Sequence, residues 1–156
     1  GTVMTFFYDL ISNELFISAA IAWFIAQVLK TIMHTFLTKD FNLERMYGSG
    51  GMPSSHSATV TALATSSFFV HGAASSEFAI SAILAIIVMY DARGVRRETG
   101  IQAKVLNDLI ELLKDVHNEL MTTDEKLKEF VGHTPLQVIV GALLGFAIAC
   151  FVHLFY

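Results

Sequence analysis

Apolar residues occur in four long runs along the chain, and polar residues gather in two regions between them. The apolar runs cover residues 15–37, 56–70, 78–90 and 135–156. The first and last are long enough to cross a bilayer as helices, whereas the third is short for a span. The second is rich in Ala, Ser and Thr, which allow close helix contact in lipid. The pattern predicts an all-α integral membrane bundle of about four transmembrane helices.

The longer polar region, residues 91–133, contains an apolar stripe at helical spacing over residues 101–120. This stripe predicts a cytoplasmic amphipathic helix. We expect the helix to pack on its own domain, and the alternative is that it lies on the membrane surface. The length of 156 residues predicts one domain over residues 1–156.

The composition supports a membrane protein and argues against nucleic acid as a partner. Charged residues form only 15% of the chain, whereas soluble domains carry about 25%. The net charge is −4 and no basic stripe with interleaved aromatic residues is present. The single Cys150 excludes an internal disulfide and a cysteine metal cluster.

All Lys and Arg residues fall at or near one side of a bundle of four spans. The positive-inside rule therefore predicts that both polar regions face the cytoplasm of a bacterial-type plasma membrane, with both chain termini outside. The ten basic residues are Lys30, Lys39, Arg45, Arg93, Arg96, Arg97, Lys104, Lys114, Lys126 and Lys128.

A Gly-Gly-Met-Pro-Ser-Ser-His-Ser string at residues 50–57 directly precedes the second apolar run. A helix that starts there directs backbone N–H groups, Ser54 and Ser55 toward an anion. His56 would stand beside that anion as a proton donor. The alternative is an ordinary helix cap with a nearby proline.

Basic side chains on the same side supply candidate phosphate ligands. Lys30 lies deep in the first apolar run, on one helical face with Gln27 and His34. It either extends its ammonium to the membrane interface or binds a phosphate. Arginine offers planar donors that suit phosphate oxygens, although each is also explained as a topology anchor. The candidates are Arg45, Arg93, Arg96 and Arg97.

A second histidine, His133, precedes the Thr134–Pro135 pair that opens the last apolar run. The N-terminus of a helix favours a nearby anion and depresses the pKa of an imidazole. A neutral imidazole is a competent nucleophile toward phosphorus. Two histidines that each precede a span on the same side predict a shared phosphate site.

These strings resemble the superfamily of type 2 phosphatidic acid phosphatases and vanadium haloperoxidases, and most closely its divergent branch of small membrane proteins. The resemblance is carried by residues 50–57, 88–97, 102–107 and 132–135. It implies that His133 is the nucleophile, that His56 is the acid, and that Lys, Arg and Ser hold phosphate oxygens. It implies a phosphatase without a cofactor that acts through a phosphohistidine. Its substrate would be a lipid phosphomonoester or pyrophosphate at the cytoplasmic leaflet, on a phospholipid or a prenyl chain.

The chain departs from the superfamily pattern at the residue that should orient the nucleophile. Gln137 stands where the superfamily has an Asp four residues after the histidine. Asp91 or Glu98 is an alternative source of that charge, and Asn107 is a further supporting residue. The same three residues offer a less favoured Mg²⁺ site.

Two other functions stay open, and so does a second copy of the chain as a partner. A lipid-phosphate binding or transport protein would keep the phosphate site and lose turnover. A structural assembly factor would use the amphipathic helix over residues 101–120. Gly141 and Gly145 form a small-residue motif, and with the small-residue second span they are expected to support a homodimer.

Overall fold

The computed structural model describes residues 2–39, 51–116 and 133–156, and within these ranges every regular element is a helix. The prediction of an all-α fold is therefore confirmed. The helices are α1 (Thr2–Ile11), α2 (Glu14–Thr38), α3 (Ser55–His71), α4 (Ser76–Arg93), α5 (Val95–Val116) and α6 (Pro135–His153).

Three stretches in the described ranges are helical, long and apolar enough to cross a membrane. They are Glu14–Thr38, Ser76–Leu113 and Pro135–His153, and the second runs from α4 into α5. The helix α3, with 17 residues, is shorter than these. It packs against α2, α4 and α6, so it is the central helix of the bundle. The predicted membrane bundle is thus confirmed, with α3 as its short inner member.

Small side chains allow α3 to lie close to its neighbours. Ala58 and Ala62 on α3 are fully buried against Ala22 and Ala26 on α2. A Cβ atom added to Gly141 would lie 2.4 Å from the carbonyl oxygen of Ser54, and one at Gly145 would lie 2.2 Å from that of Ala58. Both glycines are therefore required for the contact between α6 and α3.

This contact corrects one expectation. Gly141 and Gly145 were expected to support a homodimer, but both are buried against α3 of their own chain. The sequence motif marks close packing of helices, and it does not indicate whether the partner helix is in the same chain. The homodimer itself stays a prediction, without these glycines as its contact surface.

The helices run so that four ends converge on each side of the bundle. We call the site end the side where α2 and α4 finish and α3 and α6 begin, and the far end the opposite side. At the site end, the Ser54 N–H donates to the Gln137 carbonyl at 3.1 Å, and the His133 N–H donates to the Ala92 carbonyl at 3.1 Å. These backbone bonds join three separate polar segments into one surface.

The amphipathic helix differs from its expected packing. Gly100, Ala103 and Asn107 form the buried face of α5. Its larger apolar side chains are exposed, among them Val105 at 61% and Leu112 at 64%. The buried positions of α5 are therefore small or polar, and the large apolar stripe faces outward. The expectation that this stripe packs on its own domain is wrong, and an outward apolar face suits the membrane surface. Residues 117–120 of the stripe lie outside the described residues.

One helix has no counterpart in the predicted elements. The sequence Thr2–Ile11 forms α1, a short apolar helix with no buried residue. It contacts α2, and its outward side chains include Phe6 and Tyr8. The run is too short to span a bilayer, and the search for long apolar runs therefore predicts no element there.

Candidate functional site

The two candidate histidines meet at the site end. His56 lies in the first turn of α3 and His133 lies two residues before α6. Their ring centroids are 5.8 Å apart, with an angle of 65° between the ring planes. His133 is 1% exposed. The predicted pairing of these side chains across 77 residues of chain (133 − 56) is therefore present in the geometry.

The start of α6 determines how the His133 ring is held. Thr134 and Gln137 form a capping box in which the Thr134 N–H donates to Gln137 Oε1 at 3.0 Å. Only the amide oxygen can accept that bond, so the Gln137 side chain must be oriented with Oε1, and not Nε2, toward the Thr134 N–H. The same oxygen lies 3.3 Å from His133 Nδ1. His133 must therefore donate through Nδ1–H, which leaves the lone pair on Nε2.

The free nitrogen of this tautomer is buried. His133 Nε2 has no hydrogen-bond partner among the described residues. A buried polar atom without a partner costs free energy. An acceptor nitrogen in this state is the arrangement that a nucleophile requires before its substrate binds.

Burial also keeps the imidazole neutral. Desolvation by burial lowers the pKa of His133 from 6.5 to about 4. The positive charges of Lys30 and His56 lower this pKa further, while the hydrogen bond to Gln137 and the backbone of Gly51 act in the opposite direction. At neutral pH the ring is unprotonated and can attack an electrophile.

Lys30 reaches the same place from α2. It is 2% exposed, and its Nζ donates to Ser55 Oγ at 3.4 Å. Gly51 has φ of +83° and lies against the lysine stem, since a Cβ there would be 3.3 Å from Lys30 Cγ. The lysine is therefore held inside the bundle, and the alternative that it extends to the membrane interface is wrong.

The three serines within residues 50–57 differ in their contacts. Ser54 is fully buried and caps α3, accepting from the Ser57 N–H at 3.3 Å. Ser55 is 3% exposed and holds Lys30. Sequence reasoning missed Ser57, which is fully buried and whose Oγ has no partner among the described residues. Its position one residue after His56 was the available signal.

The remaining predicted residues surround this centre less closely. Arg93 ends α4 and Arg97 lies in the first turn of α5, and both are exposed. Asp91 is half-buried next to Ala92, whose carbonyl accepts the His133 N–H. Asn107 is 9% exposed on the inner face of α5. Arg96 belongs to α5, and Arg45 lies outside the described residues.

The alternative magnesium site gains no support from the geometry. Glu98 is exposed on α5. In the ranges that the structure describes, no three His, Cys, Asp or Glu side chains are grouped so that they could hold a metal ion.

The fold and the site define a helical membrane protein in which a buried histidine and a half-buried one lie beside a buried lysine. The sequence profile of the Divergent PAP2 family matches residues 11–148, so the chain belongs to that family. The chain is 41% identical over 145 residues to the uncharacterized membrane protein YuiD of Bacillus subtilis (strain 168). That match covers 88% of this chain and 92% of YuiD. No solved structure matches the chain.

Proposed function

We propose that this protein is a membrane phosphatase that hydrolyses a lipid phosphomonoester or pyrophosphate through a phosphohistidine. One observation supports the proposal most strongly. A buried, neutral His133 presents an Nε2 atom without a partner among the described residues, and the centroids of the His133 and His56 rings are 5.8 Å apart. Membership of a PAP2-related family agrees with this chemistry.

The reaction proceeds in two displacements at phosphorus. His133 Nε2 forms a bond to phosphorus while the bond from phosphorus to the leaving oxygen breaks, and His56 gives that oxygen its proton. In the second step a water molecule attacks the phosphohistidine and transfers a proton to His56. The bond from Nε2 to phosphorus then breaks, releasing inorganic phosphate and restoring both histidines.

The other polar groups stabilise charge instead of reacting. Phosphoryl transfer depends mainly on positioning and on positive charge near the phosphoryl oxygens. The Lys30 ammonium and the N–H groups at the start of α3 supply these at the site end. The exposed Arg93 and Arg97 stand at the rim, where they suit the approach of an anionic headgroup.

Gln137 favours one alternative, a lipid-phosphate binding protein without turnover. A neutral amide fixes the tautomer of His133, as a carboxylate would, but it stabilises an imidazolium less. The phosphate site would then bind its ligand and proceed slowly or not at all to the phosphohistidine.

The test is phosphate release from a lipid panel by the purified protein in nanodiscs. The panel contains a phosphatidate, a phosphatidylglycerol phosphate and a prenyl diphosphate, each with and without EDTA. We expect turnover by the parent protein and loss of turnover in both His133→Ala and His56→Ala. The matched control is His71→Ala, because His71 is exposed at the far end.

Trapping the phosphoenzyme separates the roles of the two histidines. A labelled phosphoryl group should appear on the parent protein and be absent from His133→Ala. Ligand binding without turnover by the parent would replace the phosphatase with the binding protein. Wild-type turnover in both histidine variants would overturn the proposed histidine mechanism, whereas neither turnover nor ligand binding by the parent would leave the structural assembly factor.

We also propose that the site end faces the cytoplasm. The basic residues on the described parts of α2, α4 and α5 belong to or follow this end, as the positive-inside rule requires. In a Cys150→Ser background, Glu98→Cys should react only with a permeant thiol reagent in intact cells. Ala74→Cys, in the turn at the far end, should react with an impermeant one, and the reverse result would invert the orientation.

A further inference from the structure

The helix α5 presents an exposed row of leucines at the site end of the bundle. We call Leu106, Leu109 and Leu113 the leucine face of α5, and they are 48%, 50% and 48% exposed. Their spacing places them on one side of the helix. A contiguous row of large apolar side chains is unusual on a surface that meets water, so this side of α5 requires an apolar partner.

Two other sides of α5 have different surroundings. The buried side consists of Gly100, Ala103 and Asn107. The exposed, charged side consists of Lys104, Asp108 and Glu111. Because successive residues of an α-helix turn by about 100°, Ala103, Asp108 and Leu109 point in three directions separated by roughly 100° to 140°. A helix that lies at the membrane boundary beside a bundle has three such neighbours, which are protein, water and lipid.

The length of α4 places the start of α5 at the surface of the bilayer. The 18 residues of α4 rise roughly 27 Å, which is close to the hydrocarbon thickness of about 30 Å. Gly94 then separates the two helices, and its ψ of −83° departs from the helical value of about −42°. Charged residues recur along α5, so it does not follow α4 as a continuing span. It therefore begins where the acyl chains end and the headgroups start.

The chemistry of the exposed apolar residues favours acyl chains over a protein partner. They are the aliphatic residues Ile101, Val105, Leu106, Leu109, Leu112 and Leu113. The sequence of α5 contains no aromatic residue, whereas Trp and Tyr are enriched among the residues that dominate the energy of protein interfaces. The charged side carries both signs, so it offers no patch of a single charge that would steer a charged protein.

We propose that α5 lies in the plane of the membrane, with its leucine face among the acyl chains of the leaflet at the site end and its charged side in water. The partner of this face is therefore lipid and not a second copy of the chain. The Ala92 carbonyl, near the end of α4, accepts the His133 N–H at 3.1 Å. The depth at which α4 passes into α5 thus places the histidine site at the level of the headgroups, for a phosphatase and for a binding protein alike.

Spin labels on single cysteines test this placement in the intact chain. In a Cys150→Ser background, Leu106→Cys, Leu109→Cys and Leu113→Cys are each labelled with a nitroxide in nanodiscs of phosphatidylcholine and phosphatidylglycerol. Molecular oxygen, which concentrates in lipid, should relax all three EPR signals, and a water-soluble nickel chelate should not. The matched controls on the charged side should respond in the opposite way, and they are Lys104→Cys, Asp108→Cys and Glu111→Cys.

The depths of the three labels distinguish a helix in the membrane plane from one that rises out of it. All three labels on the leucine face should lie roughly 5–10 Å below the lipid phosphates. A helix that continued along the axis of α4 would instead carry the label at residue 113 about 10 Å above the label at residue 106. A gradient of that size would overturn the placement in the plane.

Three other outcomes would overturn lipid as the partner of the leucine face. Relaxation of its labels by the nickel chelate would place the face in water. Protection from both reagents, with dipolar broadening that disappears on dilution with unlabelled protein, would show that a second copy covers it. Protection without such broadening would show that the chain covers the face itself. None of these outcomes depends on phosphate release, so each leaves the proposed phosphatase to its own test.

Discussion

The two ends of the bundle bury polar side chains in different ways. At the far end, Glu14 Oε1 lies 2.8 Å from His153 Nδ1 and 3.4 Å from Ser66 Oγ, and Phe69 stacks on the His153 ring at 4.7 Å. At the site end, His133 Nε2 and Ser57 Oγ have no partner in the described ranges. One end satisfies its histidine internally, and the other holds a histidine ready for a ligand.

This difference indicates which polar cluster is structural. A buried carboxylate with an imidazole and a hydroxyl as partners forms a closed group that joins the first residue of α2 to the last of α6. Ser67 Oγ at the far end also lacks a described partner, but an unpaired hydroxyl is a small, neutral group. The unpaired imidazole nitrogen, His133 Nε2, is the atom that can take part in a reaction.

The largest expected effect comes from removing the buried charge at the site end. Lys30→Met keeps the length and apolar stem of the side chain and deletes the ammonium beside Ser55. Turnover should fall about 10²–10³-fold, as when one preorganised charge-stabilising donor is lost. The control is Lys39→Met, because Lys39 is exposed beyond α2. Equal turnover in both variants would remove Lys30 from the site.

Glycines at the two ends should respond differently to alanine. Gly141→Ala brings a Cβ to 2.4 Å from the Ser54 carbonyl oxygen, so α3 must shift where it carries His56. Overpacking of this kind costs about 1–3 kcal/mol, and turnover should fall together with thermal stability. Gly72→Ala at the far end meets no atom within 4 Å but keeps a φ of +82°, so it should lower stability alone. Loss of turnover in Gly72→Ala would contradict the expected difference between the glycines at the two ends of the bundle.

The neutral amide of Gln137 gives the site a testable pH dependence. Because burial lowers the pKa of His133 to about 4, its protonation should limit kcat/KM only near that pH. Gln137→Glu places a carboxylate beside Nδ1, which raises the pKa of the ring. The acidic limb of the profile should therefore move to higher pH, and the His133 ring titration by NMR should move with it. An unchanged profile would show that residue 137 does not control the protonation of His133 during the reaction.

The same shift predicts a change of stability with pH. The unfolded chain takes up a proton near pH 6.5, whereas folded His133 accepts it only near its lowered pKa of about 4. The free energy of unfolding should therefore decrease as the pH falls between these values. His133→Asn should reduce this dependence, and His71→Asn should leave it as in the parent. Denaturant unfolding in detergent at several pH values measures it.

The smallest effect is expected at the far end. His153→Phe retains a ring against Phe69 and deletes the partner of Glu14. Since His153 is 43% exposed, we expect a loss of only about 1 kcal/mol in the free energy of unfolding. Turnover should stay within twofold of the parent. A large loss of turnover would show that the far end takes part in the reaction.

The sequence by itself determined the helical class, the runs that form α2, α3 and α6, and the convergence of His56, His133 and Lys30. Helical periodicity and helix caps are local properties, so α6 begins at Pro135 as its Thr-Pro signal predicts. Residues that precede spans on one side must meet at one surface, whichever way the helices pack.

Only the tertiary structure decided which faces the helices present to each other. The apolar stripe of α5 faces outward, and Gly100 and Ala103 lie on the buried face of that helix instead. Gly141 and Gly145 contact α3 of the same chain, since a small-residue motif does not specify its partner helix. The pairing of Glu14 with His153 joins residues 139 positions apart. Such contacts depend on the packing of whole helices, which no local pattern encodes.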